Sequence, residues 1–126
     1  MNSFTIEARL PGLNEVISSN RSNRYKGAQQ KRSVQDMIGF YILKALNDGS
    51  LKSVKTPVEI SIHWNEKSKR RDVDNIQSAQ KFVLDAMVEH GIIPDDSQRW
   101  VKQIYHLVIP GKEDKVEVII HDSETG

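Results

Sequence analysis

At 126 residues, 37% of them hydrophobic and 28% charged, the chain is sized for one domain with a real core and is too short for two comfortable ones. The absence of cysteine excludes a disulfide framework and any thiolate metal site. No run approaches the roughly 20 apolar residues of a membrane span. The opening "MNSFTIEARLPG" has neither the basic nor the apolar region of a signal peptide, so cytoplasm is the expected location.

The net charge of +1 says little, but its distribution says more. Arg21, Arg24, Lys26, Lys31 and Arg32 fall between Asn20 and Arg32 with no acid among them. Lys67, Lys69, Arg70 and Arg71 form a second basic group, and the tail from Glu113 is acidic. A charge run is more often only a solvated surface, yet this asymmetry suits a face that meets phosphates.

In chain order, "SFTIEARL" alternates Phe4, Ile6, Ala8 and Leu10 on one side and predicts a half-buried strand. "PGLNEVISSNRSN" is a loop. Val34, Met37, Ile38, Tyr41, Ile42, Ala45 and Leu46 recur at the helical period, and the helix stops at "NDG". "PVEISIHW" is a second strand with Val58, Ile60, Ile62 and Trp64 on one side. After the polar loop "NEKSKRRD", a second helix is predicted from about Asp74 to His90, with Gly91 as its C′ residue. "RWVKQIYHLVI" and "KVEVII" read as two strands joined by "PGKED" into a hairpin. The order β-α-β-α-β-β predicts an α/β (α+β) domain, a mixed sheet covered by two main helices.

The carboxylates around the second helix carry the chemical interest. Asp72 and Asp74 flank its start, while Asp95 and Asp96 lie beyond its far end. A helix of about 17 residues is ~25 Å long, so the pairs meet only if the connector after Gly91 turns back. Asp74 alone is explained as an N-cap, worth about 1 kcal/mol. Capping leaves Asp72, Asp95 and Asp96 without a role. A calcium loop starting at Asp72 fails, because Gln77 and Val83 stand where it needs glycine and glutamate. Asp74, Ser78, Lys81 and Asp85 share one helix face. Lys81 and Asp85 can be a plain exposed i,i+4 pair, or Lys81 can stabilise charge developing on a phosphate.

The stretch "RRDVDNIQSAQKFVLDAMVEHGIIPDDSQ", Arg70 to Gln98, resembles the signature of the RusA-type Holliday-junction resolvases. It combines a basic run before D-x-D-N, a helix with K-x-x-x-D-A, and G-x-x-x-D-D. The resemblance implies a small homodimeric, Mg²⁺-dependent enzyme that cuts four-way DNA junctions. Carried over by position, the catalytic aspartates are Asp72, Asp74 and Asp96. The family's lysine falls on Lys81 when counted from K-x-x-x-D, and on Ser78 when counted forward from D-x-D-N, because "SAQ" reads as a three-residue insertion. Three residues rotate a helix by about 300°, so Lys81 stays near the required face.

Hard oxygen donors without a Cys or His motif favour Mg²⁺, with Mn²⁺ as a substitute, over zinc. His63, His90, His106 and His121 show no paired spacing and read as structural or surface residues. Asp95 is expected to cap or buttress the connector. Contacts to DNA phosphates are expected from Arg21, Arg24, Lys26, Lys31, Arg32, Lys69, Arg70 and Arg71, reading shape rather than sequence. A general flap nuclease with the same site and a junction-binding module that does not cut are the rival readings.

Overall fold

The computed structural model describes residues 2–16 and 24–123, with the side chains of Arg24 and Tyr25 outside that description. Arg21 lies outside the described residues. Among the described residues the main elements run in the order β1 (Asn2–Ile6), α1 (Arg24–Asp48), β2 (Val58–Glu66), α2 (Val73–Gln77), α3 (Gln80–Glu89), β3 (Val101–Pro110) and β4 (Lys115–Asp122).

The sheet forms because alternate residues of each strand are apolar and point the same way. Phe4 and Ile6 of β1, Val58, Ile60, Ile62 and Trp64 of β2, and Val116, Val118 and Ile120 of β4 are all buried. They meet Val34, Ile38 and Ile42 from α1, and Phe82, Val83 and Met87 from α3, in one hydrophobic core. The result is the two-layer α+β arrangement expected, with helices against one sheet face. The fourth strand, β3, is an edge strand, and Tyr105 and Leu107 on it are exposed.

Strand order corrects one expectation. The sheet runs β1-β4-β2-β3, so β3 and β4 are not a hairpin. Instead β3 pairs parallel with β2, Val58 opposite Val101, and β4 pairs antiparallel with the other side of β2, Ile62 opposite Val118. The short turn after Pro110 passes over the end of β2, where Gly111 N–H donates to the Glu66 carbonyl and Lys67 N–H donates to Asp114. Burying β2 between two partners satisfies both of its edges, which a β3-β4 hairpin would leave half unpaired.

Two boundaries also differ. The first strand ends at Ile6, not Leu10, because Leu10 leaves the sheet to pack in the core while its carbonyl takes a hydrogen bond from Arg71. The second helix is broken into α2 and α3 at Ser78–Ala79. Its C-terminal end is as expected: Gly91, at φ +73°, follows the last residues of α3 in the left-handed region that glycine enters without strain.

Candidate functional site

The acidic turn is held from both sides. Just before Asp72, Arg71 turns inward, its side chain 9% exposed. Its Nε and Nη2 donate to the two carboxylate oxygens of Glu66 at 3.0 and 2.7 Å, a bidentate pair in which Glu66 is 5% exposed. Nη1 donates to the Leu10 carbonyl at 2.9 Å and to Glu15 at 3.0 Å. Glu15 is also paired with Arg9 at 3.1 Å. Burial alone would raise the Glu15 carboxyl, but the Arg9 charge, the Gly12 N–H and the guanidinium of Arg71 outweigh it and hold the pKa below its ordinary value. The sequence places Arg71 among the DNA contacts; here its Nε, both Nη1 hydrogens and one of the two on Nη2 are engaged inside the protein. Glu66 was legible in principle: it continues the inward-facing series Val58, Ile60, Ile62, Trp64, and an acid in that phase demands a buried cation.

Just after Asp74, the loop at Gly12 closes on Asn75. A Cβ at Gly12 would collide with the side-chain and backbone oxygens of Asn75, so only glycine permits this approach. The Ser78 hydroxyl accepts from Leu13 N–H at 2.9 Å and donates to the Asn75 carbonyl at 2.5 Å. By taking that carbonyl, Ser78 competes with the helical ladder. Ala79 and Phe82 then bond three residues back, to Ile76 and Ala79, and the helix breaks. The break falls on the three residues that read as an insertion. Ser78 therefore has a structural task, and Lys81 is the cation on this face.

Between these clamps Asp72 and Asp74 are exposed. The residue at the N-cap position of α2 is Asp72, not Asp74, and its side chain makes no capping hydrogen bond. Asp74 lies in the first turn, where the partial positive charge of the helix N-terminus favours an acid. Neither carboxylate is consumed by the fold.

Lys81 links the helix to the connector. Its ammonium lies 3.0 Å from Asp85 and 3.8 Å from Asp96. The hydrogen bond and charge of Asp85, and after them the charge of Asp96, raise the Lys81 pKa and keep it protonated. The i,i+4 pair and the longer-range contact thus coexist. Asp95 buttresses the connector as expected, accepting from Ser97 N–H at 2.8 Å, and hydrogen bonding from the Ser97 side chain and then from its N–H lowers the Asp95 pKa. The connector turns back far enough to bring Asp96 to Lys81. It does not complete a three-carboxylate cage: among the described residues no group of three or more Asp, Glu or His side chains is gathered to hold a metal ion. The donor chemistry of Asp72, Asp74 and Asp96 suits a hard divalent cation, but the arrangement has Asp96 answering Lys81.

The remaining basic residues divide. Lys69 and Arg70 are exposed beside the acidic turn, and Lys26 and Lys31 are exposed on α1. Arg32 forms ion pairs with Asp36 at 2.9 Å and Glu89 at 3.4 Å, tying α1 to α3. Such exposed pairs are worth at most about 1 kcal/mol and exchange readily for a phosphate.

His106 is a structural residue, as expected, with a specific task. Trp64 Nε1–H donates to His106 Nδ1 at 3.0 Å, and the rings stack with centroids 6.0 Å apart. An indole nitrogen can only donate, so Nδ1 must be the acceptor and Nε2 carries the proton. Nε2 then donates to Gln80 Oε1 at 2.8 Å, fixing the residue before Lys81. Burial lowers the His106 pKa from 6.5. The unfolded imidazole takes up its proton first, so stability present above the ordinary value is lost as pH falls through the folded one. Urea midpoints measured from about pH 7 to pH 5 are expected to drop more for the wild type than for His106→Gln.

The described residues give a polar turn with two exposed carboxylates, a lysine–aspartate pair joining α3 to the connector, and exposed cations, carried on an α+β domain. A family model described as endodeoxyribonuclease RusA matches residues 14–121, from the Gly12 loop to the end of β4. The class is therefore that of enzymes that cut DNA internally. The chain belongs to the RusA endodeoxyribonuclease family. No curated protein matches the sequence. Among the described residues no helix is long and apolar enough to cross a membrane.

Proposed function

We propose that this protein resolves four-way DNA junctions by paired, symmetric nicks, acting as an Mg²⁺-dependent homodimer in recombination and repair. The observation that carries the reading is the state of Asp72 and Asp74. Both are exposed on a turn bolted down by Arg71 on one side and by Asn75 and Ser78 on the other, and neither is spent on capping. Rigid presentation of free carboxylates is costly to maintain and has a use in phosphoryl chemistry.

Asp72, Asp74 and Asp96 are the residues that would hold Mg²⁺ or Mn²⁺. The ion when bound supplies neutralisation of phosphate charge and an activated water. The chain's own contribution is to orient. Lys81 pairs with Asp96 of the connector, and its ammonium would stabilise charge developing on the phosphate. Lys69, Arg70, Lys26 and Lys31, with Arg24 and Arg32, supply phosphate contacts that position the backbone without reading sequence. A four-way junction is approximately two-fold symmetric, so a two-fold dimer presents one site to each of two opposed strands. The free edge strand β3, with Tyr105 and Leu107 exposed, offers an apolar surface for a second copy.

Incubating the protein with a labelled mobile four-way junction and with a matched duplex, each with and without Mg²⁺, tests the reading. Paired nicks placed symmetrically across the junction, dependent on Mg²⁺ and absent from the duplex, are expected. Equal cutting of flaps and junctions by a monomer would make it a general branched-DNA nuclease. Tight binding without cutting would make it a junction-binding module.

A further inference from the structure

Beside the acidic turn lies a recess of about 230 Å³, and neither the fold nor the proposed chemistry uses it. Val73, Ile76, Val108 and Pro110 form its apolar lining, and the exposed Ser68 and Lys69 line it as well. Glu66 and Arg71 also border it, but their polar atoms are largely committed to one another. Val73 is the informative residue. It sits between Asp72 and Asp74 in sequence, and it is 53% exposed. Core packing does not explain an apolar side chain left open between two carboxylates.

We infer that this recess receives one nucleobase of the DNA junction, unstacked from its neighbours next to the phosphate that is cut. The inference rests on the nuclease reading, and four features support it. The volume is below the ~300–1,000 Å³ of pockets that take drug-sized ligands, and suits a single heteroaromatic ring system. Val73, Ile76, Val108 and Pro110 are aliphatic, so they take the apolar face of a base by burial rather than by a hydrogen-bond code. Lys69 and Ser68 line the recess and are exposed, so a cation and a hydroxyl stand where the phosphate and the polar edge of such a base would need them. Finally, the recess shares Val73 with the turn that carries Asp72 and Asp74, so a base held there places its adjoining phosphate at those carboxylates. The cost of unstacking is smallest where a base is already poorly stacked, as at the crossover of a junction. A continuous duplex offers no such base. The recess therefore favours branched over linear DNA by local geometry, in addition to the symmetry of a dimer. Val73 has the further role of an apolar wedge, occupying the step that the base leaves.

The test uses Asp74→Asn protein, which holds the junction uncut, and junctions carrying the fluorescent base 2-aminopurine singly at each nucleotide flanking the crossover. Stacking quenches this base, and an aliphatic pocket does not. A several-fold rise in fluorescence on binding is expected at one flanking position and not in the arms. Adding Ser68→Phe, which blocks the recess from an exposed position, should return the signal to that of free junction. Val73→Ala, a milder change that leaves the fold untouched, should reduce it. No rise at any flanking position, from a protein that binds the junction and whose wild type cuts it, overturns the recess and leaves the nuclease reading standing. A rise that persists undiminished in both added variants overturns it too, because the base then lies elsewhere. A wild type that neither binds nor cuts branched DNA overturns both.

Discussion

Asp74→Asn protein is expected to bind four-way junctions at least as tightly as the wild type and to cut them about 10²–10³-fold more slowly, the scale of losing a group that acts on the reacting phosphate. Asp72→Asn should behave in the same way. The reasoning starts from what these carboxylates do not do. Asp72 occupies the N-cap position without a capping hydrogen bond, and Asp74 is exposed in the first turn of α2. Exchanging either for an amide of the same shape removes no contact of the fold, so stability should change by no more than about 0.5 kcal/mol. It does remove one negative charge that faces DNA phosphates, which favours binding. Single-turnover cleavage on labelled junctions, read beside a binding titration, separates the two effects. Wild-type cutting rates in both variants would take these residues out of the reaction. Loss of binding together with cutting would point to a structural role that their exposure does not suggest.

The second large effect is on stability. Arg71→Ala is expected to cost about 3–5 kcal/mol, because it strands the Glu66 carboxylate in the interior. Glu66 is 5% exposed, and among the described residues the bidentate pair with Arg71, at 3.0 and 2.7 Å, is what holds its carboxylate. The same change releases the Leu10 carbonyl and one of the cations on Glu15, which loosens the loop that closes on Asn75. Denaturant unfolding would show this as a lower midpoint at unchanged slope. Replacing both members, Arg71→Met with Glu66→Leu, should recover much of the loss, since no unpaired charge then remains buried. The neighbouring Arg70 makes the control. It is exposed, so Arg70→Ala should leave stability within about 0.5 kcal/mol. It should instead flatten the salt dependence of junction binding, through one fewer phosphate contact. If Arg71→Ala proves nearly neutral, water reaches Glu66 and the inward clamp on Asp72 is weaker than its geometry implies.

Two adjacent arginines with opposite fates show where sequence reasoning stops. "RRDVDN" carries its family resemblance in the one-dimensional order of residues, and that order was enough to place the chain in the RusA endodeoxyribonuclease family. The strands and helices were legible as well, because hydrophobic periodicity is local: Val58, Ile60, Ile62 and Trp64 repeat every second residue, and Val34, Ile38 and Ile42 every fourth. Nothing local distinguishes Arg70 from Arg71. Of the partners that draw Arg71 inward, Glu66 is five residues away and as near to Arg70, whereas Leu10 and Glu15 lie 61 and 56 residues away, and only the folded chain brings them together. Strand pairing has the same character. "PGKED" between two strands is a sound hairpin signal, yet β2 can satisfy both its edges only by standing between β3 and β4, a choice made by the whole sheet. The helix break at Ser78 likewise depends on Leu13, 65 residues earlier, offering its N–H to the serine hydroxyl. The kinds of residue at the site, and their order, are properties of the sequence. Which of them face water, which face one another, and that Asp96 meets Lys81 are decided by contacts between distant segments, where burial and pairing outweigh any local preference.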